Sequence, residues 1–273
     1  MRIKQIAKIK DGQDGAVFKN YLFRFNHLGE CFVYDLNDIE NEAIDKFCLD
    51  KAEELMPHSN SVMFGKEYFC PDDEFPLLYT NIYNNYANAQ DPLKGVCLVY
   101  RIQKNGTKFS SALVQSIKIG FTEDGDYWKS KNTDDIRPYG NFTIDAENGV
   151  YYAFTMRDES KTTRYFAFDL PKLCDGKEVT LNICDIKEYF DCEYHRFVQG
   201  ACFYNGKIYS LEGFTEDKEN PPVMRIIDVK EKKQTEYIKF GDFGLTIEPE
   251  MIDFENDICY YADNHGNLYV IDF

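Results

Sequence analysis

The stretch EMIDFENDICYYADNHGNLYVIDF, residues 250–273, contains three short segments in which apolar and polar residues alternate. These segments are EMIDFEN, ICYYAD and LYVIDF, and turn residues such as Asn256 and Asn264 separate them. Alternation with a period of two is typical of β-strands that bury one face. The stretch therefore predicts three consecutive strands of one antiparallel sheet.

The same pattern occurs four more times upstream. Its first strands are DGAVFKN (14–20), NSVMFGK (60–66), GNFTIDAENG (140–149) and QGACFYN (199–205), and each is followed by an aromatic-rich second strand and by a third strand. These four units also have a more polar fourth strand, namely EAIDKFCLD (42–50), SALVQSIKIG (111–120), EVTLNICDI (178–186) and TEYIKFGDF (235–243). Repeated four-stranded units are the pattern of a β-propeller.

The last unit has only three strands before the chain stops at Phe273. A closed ring must hide its first and last sheet edges. The segment RIKQIAKIK (2–10) alternates isoleucine or alanine with charged residues and has no partner strands of its own. We therefore expect it to be the outer strand of the last blade, closing the ring.

The sequence thus predicts an all-β fold, a single domain over residues 1–273, and five blades of four antiparallel strands. Six blades are the alternative, because the second unit is long; we interpret its extra residues, 69–76, 84–95 and 122–135, as loops. Helix is predicted to be minor, with candidates at 45–56 and 185–191.

Composition excludes several function classes. The 47 acidic and 31 basic residues give a formal net charge of −16, which repels nucleic-acid phosphate and anionic lipid headgroups. We expect neither nucleic acid nor a membrane as partner, since no apolar run is long enough to span a bilayer and no signal peptide is evident.

The nine cysteines form an odd set, and most of them lie in apolar strands, such as Cys97 and Cys259. This is typical of free thiols in a reducing compartment, so we expect a soluble cytoplasmic protein without disulfides. Cys184, Cys192 and Cys202 lack the CxxC spacing of a structural zinc site. We expect neither a structural metal nor a cofactor.

On these segments the chain resembles five-bladed β-propellers, although it carries no WD40 or kelch signature. Such families include arabinanase- and xylosidase-type glycosidases and carbohydrate-binding lectins. The resemblance implies either carbohydrate cleavage or carbohydrate binding. The glycosidases of this type place essential acids at the starts of the first three inner strands. Asp14 matches the first of these places, whereas Asn60 and Arg137 stand near the other two.

Polar residues just before each inner strand should converge at the mouth of the central channel. Those that we predict to bind a ligand are His58, Asn60, Arg137, His195, Arg196, Gln199, Glu248 and Glu250. Histidines and arginines beside carboxyl groups suit a saccharide or a small anionic ligand.

Glu248 and Glu250 alternate, so in an extended strand their side chains share one face and repel each other. A salt bridge to Arg196 or Arg137 would relieve this repulsion; a bound hard cation such as calcium is the alternative.

The sequence favours a ligand-recognition propeller that binds a saccharide or small anion at the channel mouth. Two alternatives stay open. One is a glycoside hydrolase in which Asp14 and Glu250 form the acid pair, since that reaction needs two carboxyl groups across the bond. The other is a protein-interaction scaffold that uses the rim and needs no site.

Overall fold

Five sheets form the architecture of the computed structural model, which describes residues 1–82, 96–120, 141–157, 160–195 and 197–273. Strands account for 55% of the described residues and helices for 7%, which confirms the all-β prediction. The sheets are arranged as a five-bladed propeller, so five blades are confirmed over six. Of the three predicted loops, 84–95 and 122–135 lie outside the described residues.

Each blade is named in chain order, and its strands are given from the channel outwards. Blade 1 contains β2 (Gly15–Phe18), β3 (Tyr21–Phe25), β4 (Glu30–Asp35) and β5 (Asp45–Cys48). Blade 2 contains β6 (Val62–Phe64), β7 (Leu78–Ile82), β8 (Val96–Asn105) and β9 (Lys108–Ile119). Blade 3 contains β10 (Phe142–Asp145), β11 (Val150–Arg157), β12 (Thr162–Asp169) and β14 (Glu188–Glu193). Blade 4 contains β15 (Val198–Tyr204), β16 (Lys207–Glu212), β17 (Val223–Asp228) and β18 (Lys233–Lys239). Blade 5 contains β19 (Pro249–Glu255), β20 (Ile258–Asp263), β21 (Asn267–Asp272) and β1 (Arg2–Lys8).

The N-terminal strand closes the ring, as the three-stranded last unit predicts. β1 pairs antiparallel with β21, from Arg2 opposite Asp272 to Lys8 opposite Asn267. The backbone N–H of Ile9 continues the contact by donating to the carbonyl of Gly266 at 2.8 Å. The last blade therefore takes its outer strand from the other end of the chain.

One predicted strand belongs to a different blade. Residues 178–186 were expected to be the fourth strand of the third unit, but β13 (Glu178–Leu181) pairs in parallel with β9 of blade 2. The fourth strand of blade 3 is instead β14, which covers most of the 185–191 segment that we expected to be helical. Period-two alternation identifies a strand but not its neighbour, because neighbouring strands are chosen in three dimensions.

Helical structure is short in the described residues. The expected helix at 45–56 is wrong over its first half, where β5 pairs with β4; only α1 (Ala52–Leu55) is α-helical. Single 3-10 turns cover Leu36–Asp38, Leu173–Asp175, Ile183–Asp185 and Phe240–Phe243. No helix in this part of the chain has the length and apolar character needed to cross a bilayer.

The apolar core lies between the blades. Five clusters of buried side chains fill the five blade–blade interfaces, as aromatic-rich second strands require. Between blades 1 and 2, for example, Phe23 packs edge-on against Phe64, Phe75 and Phe109, with ring centroids 5.3–5.7 Å apart. Burial of these aromatic side chains supplies most of the driving force for closing the propeller.

Candidate functional site

Residues at or just before the starts of the inner strands lie close together in four of the blades. Asp14 donates its backbone N–H to the carbonyl of Ser59 at 3.0 Å, which joins the segments before β2 and β6. Gly200 of β15 approaches the backbone of Glu250 so closely that an added Cβ would lie 2.4 Å from its carbonyl oxygen. The same point lies 3.8 Å from Cγ of Asp14. We call this region the channel mouth.

Asp14 is fully buried, and both of its carboxylate oxygens accept backbone hydrogen bonds. Oδ1 accepts from Gly15 and Oδ2 accepts from Val62 of blade 2, each at 2.8 Å. Burial raises the pKa of this carboxyl group well above its ordinary value, and the two N–H donors oppose that effect. The contacts give Asp14 a structural role that joins the inner strands of blades 1 and 2.

Glu250 also lies at the channel mouth, and its side chain is only 2% exposed. Its Oε1 accepts from Nε2 of Gln13 at 3.3 Å, while Oε2 has no hydrogen-bond partner among the described residues. Burial raises the pKa of Glu250 well above its ordinary value; the guanidinium of Arg24 counteracts this, and the carboxyl group of Glu248 adds to it. Glu250 is thus a buried carboxyl group in which one oxygen accepts no hydrogen bond from the described residues. Groups that bind ligands or transfer protons often have such environments.

Glu248 is half-buried and orients two amide side chains. It accepts from Nε2 of Gln199 through Oε1, and from Nδ2 of Asn264 through Oε2 at 2.8 Å. Gln199 also donates to the carbonyl of Gly213 at 3.1 Å. Burial raises the pKa of Glu248, against the effect of both amides. Since the amide nitrogens are held by the carboxylate, the amide oxygens are left as acceptors, and Oδ1 of Asn264 has no partner in the described part of the chain.

Arg24 is a charged component of the mouth that was not predicted. This side chain on β3 is fully buried, and Nη2 donates to the carbonyls of Gly12 at 2.8 Å and Asp263 at 2.9 Å. Burial lowers its pKa, and the nearby carboxyl group of Glu250 counteracts that effect most. The sequence signal that could have identified it is the segment YLFRF, in which Arg24 stands between two phenylalanines of an apolar strand.

Asn60 lies beside the inner strand of blade 2, whereas His58, two residues earlier, has His27 of blade 1 as an electrostatic neighbour. His58 is half-buried, and burial lowers its pKa to about 4. Asn60 is 2% exposed and accepts from Nδ2 of Asn81, whose Oδ1 accepts from the N–H of Ser61 at 3.2 Å. Asn81 on β7 was not predicted, because its neighbours LLYTNIY resemble an ordinary aromatic strand.

His195 is buried between blades 3 and 4 and has no exposed surface. Its backbone N–H donates to Oγ1 of Thr163 at 2.8 Å, and its Nδ1 lies 3.1 Å from the hydroxyl of Tyr165. Burial lowers its pKa well below the ordinary value, and the charge of Arg225 adds to this effect. Arg137 and Arg196, the two predicted cationic residues, lie outside the described residues.

The predicted repulsion between Glu248 and Glu250 is present in the electrostatics, and among the described residues Arg24 is the cation that acts on Glu250. The predicted salt bridge to Arg196 or Arg137 stays a prediction, since both lie outside the described residues. Within the described ranges, no group of three or more histidine, cysteine, aspartate or glutamate side chains is arranged to hold a metal ion. All nine cysteines are free, and five of them are buried.

Fold and mouth together define the chain as a five-bladed β-propeller with a polar channel mouth. No protein-family model matches the sequence, and no curated protein matches it either. Among solved structures, the chain is similar to glutaminyl cyclase of Myxococcus xanthus, with a TM-score of 0.52 and 10% identity over 100% of this chain and 96% of that one. A second similar structure is the computationally designed Ika8 protein, with a TM-score of 0.38 and 8% identity over 98% of this chain and 99% of that one. At such identities the first likeness supports the fold alone.

Proposed function

We propose that this propeller is a ligand-recognition module and that its channel mouth binds a small polyhydroxylated ligand, a saccharide in the first instance. The observation that carries the proposal is the half-buried group formed by Glu248, Gln199 and Asn264. Side-chain amides and carboxylates in fixed orientation offer acceptors to ligand hydroxyls, and their partial burial excludes competing water.

A saccharide fits the described groups better than a small anion does. Among the described residues, Arg24 is the cation that lowers the pKa of Glu250. The carboxyl groups of Glu248, Asp14 and Asp263 raise that pKa. An anion would be repelled by this arrangement. The prediction of an anionic ligand depends on Arg137 and Arg196, which lie outside the described residues.

Saturation-transfer NMR with a panel of neutral mono- and disaccharides tests the proposal. We expect at least one saccharide to bind, and Gln199→Ala to weaken its affinity by about 5- to 10-fold through the loss of one hydrogen bond and of the support for Glu248. Gln103→Ala, at an exposed position on β8, is the matched control and should leave affinity unchanged. A panel without any binding saccharide overturns the proposal.

The second candidate is a hydrolase or transferase that uses Glu250 as general acid or base. Its support is the buried carboxyl group of Glu250, whose pKa is raised by burial as in many general acids. Asp14 is a weaker candidate for the other half of a glycosidase pair, because both of its oxygens accept backbone N–H groups.

An activity screen separates this enzyme from the binding module. Aryl glycosides test the glycosidase, and a peptide with N-terminal glutamine is added because the similar solved structure is that of a glutaminyl cyclase. Turnover that Glu250→Gln lowers by orders of magnitude would replace the binding module by an enzyme. A protein that neither binds nor turns over these compounds would favour the scaffold.

A further inference from the structure

Two buried oxygen atoms at the channel mouth accept hydrogen bonds but receive none from the described residues. They are Oε2 of Glu250, on a side chain that is 2% exposed, and Oδ1 of Asn264. Glu248 is a neighbour of both side chains, because it accepts from Nδ2 of Asn264 at 2.8 Å and its charge helps to raise the pKa of Glu250. Buried acceptors without donors are costly, so a bound group that supplies hydrogen-bond donors is favoured here.

The charges around Glu250 favour a cationic donor. Four carboxyl and guanidinium groups act on it, and of these Glu248, Asp14 and Asp263 are acidic and Arg24 is basic. Asp14 is saturated by backbone N–H groups, and Asp263 accepts from the N–H and the amide of Asn267 at 2.9 and 2.7 Å. Glu250 is therefore the member of this group that has an oxygen left for a ligand.

Arg24 does not neutralise Glu250 by direct contact. Its Nη2 donates to the carbonyls of Gly12 and Asp263, its Nε and Nη1 have no hydrogen-bond partner among the described residues, and no ion pair within 4.0 Å joins Arg24 to Glu250 there. A buried carboxylate that lacks a direct partner attracts a cation strongly, because the local dielectric constant is low.

We propose that the ligand of the channel mouth carries a protonated primary amine, which binds to Oε2 of Glu250 and Oδ1 of Asn264. The inference rests on the proposed function and narrows its ligand class from polyhydroxylated molecules to those that also bear an ammonium group. An ammonium group has three N–H donors and one positive charge, and thus matches two acceptors in an acidic environment.

Binding should release a proton. Burial raises the pKa of Glu250 and so favours its protonated form in the ligand-free protein. An arriving ammonium group stabilises the carboxylate, so the proton leaves Oε2 and passes to the buffer. A neutral ligand of the same shape leaves Glu250 protonated and releases none.

Calorimetry with glucosamine and glucose tests the proposal, because the two sugars differ only in the amine at one ring carbon. At about pH 6 the amine is protonated. We expect glucosamine to bind at least tenfold more tightly than glucose, and its binding enthalpy alone to vary with the ionisation enthalpy of the buffer. N-acetylglucosamine, which has no charge on its nitrogen, should behave like glucose.

Glu250→Gln should reduce the affinity for glucosamine to that for glucose and abolish the buffer dependence, while glucose affinity changes less than threefold. Glu236→Gln, at an exposed position of β18, is the matched control. If Glu250→Gln does not fold, Asn264→Ala should weaken the binding of both sugars, and that of glucosamine more than that of glucose, because only glucosamine also loses an acceptor for its ammonium group.

The outcomes separate the two proposals. Equal affinity for glucose and glucosamine overturns the amine site and leaves saccharide recognition standing. Tight glucosamine binding that is insensitive to both variants also overturns the amine site. If no sugar of the three binds, the amine site is overturned, and the wider saccharide panel decides the proposed function.

Discussion

Asp14 and Asp253 make the same pair of contacts in two different blades. Each accepts the N–H of the following residue through Oδ1, and each accepts an N–H from the inner strand of the next blade through Oδ2. For Asp253 that second donor is Val17, at 2.7 Å. The inner strand of a blade has backbone N–H groups that its own sheet leaves unpaired. An aspartate on the neighbouring inner strand can accept such an N–H group and thereby join the two blades.

Replacement of Asp14 by alanine should destabilise the fold. Two buried N–H groups would lose their acceptor, and we expect the free energy of unfolding to fall by about 2–4 kcal/mol. Urea unfolding monitored by circular dichroism measures the change. The control is Asp11→Ala, since Asp11 forms an exposed salt bridge with Lys10 and should contribute little. Equal stability of the two variants would contradict the structural role of Asp14.

His58 should make stability depend on pH in a defined window. Burial lowers its pKa from 6.5 to about 4, so the unfolded chain binds the proton more readily than the folded chain does. The free energy of unfolding therefore decreases as pH falls from about 6.5 to about 4. His58→Gln should flatten this decrease relative to the parent in urea unfolding at several pH values.

The comparison of parent and variant isolates the histidine, because buried carboxyl groups act in the opposite direction. Burial raises the pKa of Asp253 from 3.8 to about 7, so its contribution to stability is lost as pH rises through that range. The exposed His265 offers a matched control as His265→Gln. A parallel pH dependence in parent and His58→Gln would refute the assignment.

At the scale of elements, β13 connects blade 3 to blade 2. It leaves blade 3 after β12, pairs in parallel with β9, and returns before β14. Gly120, just after β9, donates its N–H to the carbonyl of Leu181 at 2.8 Å. A Cβ added at Gly120 would lie 2.4 Å from Cγ2 of Thr180 and 2.5 Å from Oδ1 of Asn182. A side chain at position 120 would therefore have to displace Thr180 or Asn182 of the neighbouring segment.

Gly120→Ala should loosen β13 and lower the free energy of unfolding by about 1–3 kcal/mol, as expected for overpacking. Hydrogen–deuterium exchange should show faster exchange in Glu178–Leu181 with little change in β14. The control is Gly241→Ala, because an added Cβ there meets nothing within 4 Å. Unchanged exchange in β13 would indicate that the strand tolerates the extra methyl group.

At the scale of the whole molecule, ring closure depends on the N-terminal segment. β1 covers the outer edge of β21, and the N–H of Lys10 donates to the hydroxyl of Tyr34 in blade 1 at 2.8 Å. Deletion of residues 1–10 should expose this edge and either lower stability by several kcal/mol or cause aggregation. Thermal melting and light scattering measure these effects.

A synthetic peptide of residues 1–10, added in trans, is the sharper part of the experiment. If the deletion acts through the missing strand, the peptide should restore the melting temperature in a concentration-dependent manner. A peptide with proline at positions 3 and 7 lacks two backbone N–H groups of the strand and should restore less. A truncated protein that melts like the parent would refute closure by β1.

Much of the ring was predictable because its signal is local. In segments such as VYYAF and LYVIDF, the alternation of residues predicts which side chains are buried. The last unit has one strand too few, and this predicts that the N-terminal segment pairs with it. The starts of the inner strands follow from the same alternation, which is how Glu248, Glu250 and Gln199 were found as mouth residues.

Only the tertiary structure decided which strand lies beside β9, that Arg24 is buried opposite Glu250, and that His195 lies between two blades away from solvent. The physical reason is that alternation describes one strand and its own faces. Contacts between blades join residues that are distant in sequence, as Asp14 joins Val62 and Arg24 joins Asp263. Such contacts depend on the curvature and closure of the ring, which no single segment encodes.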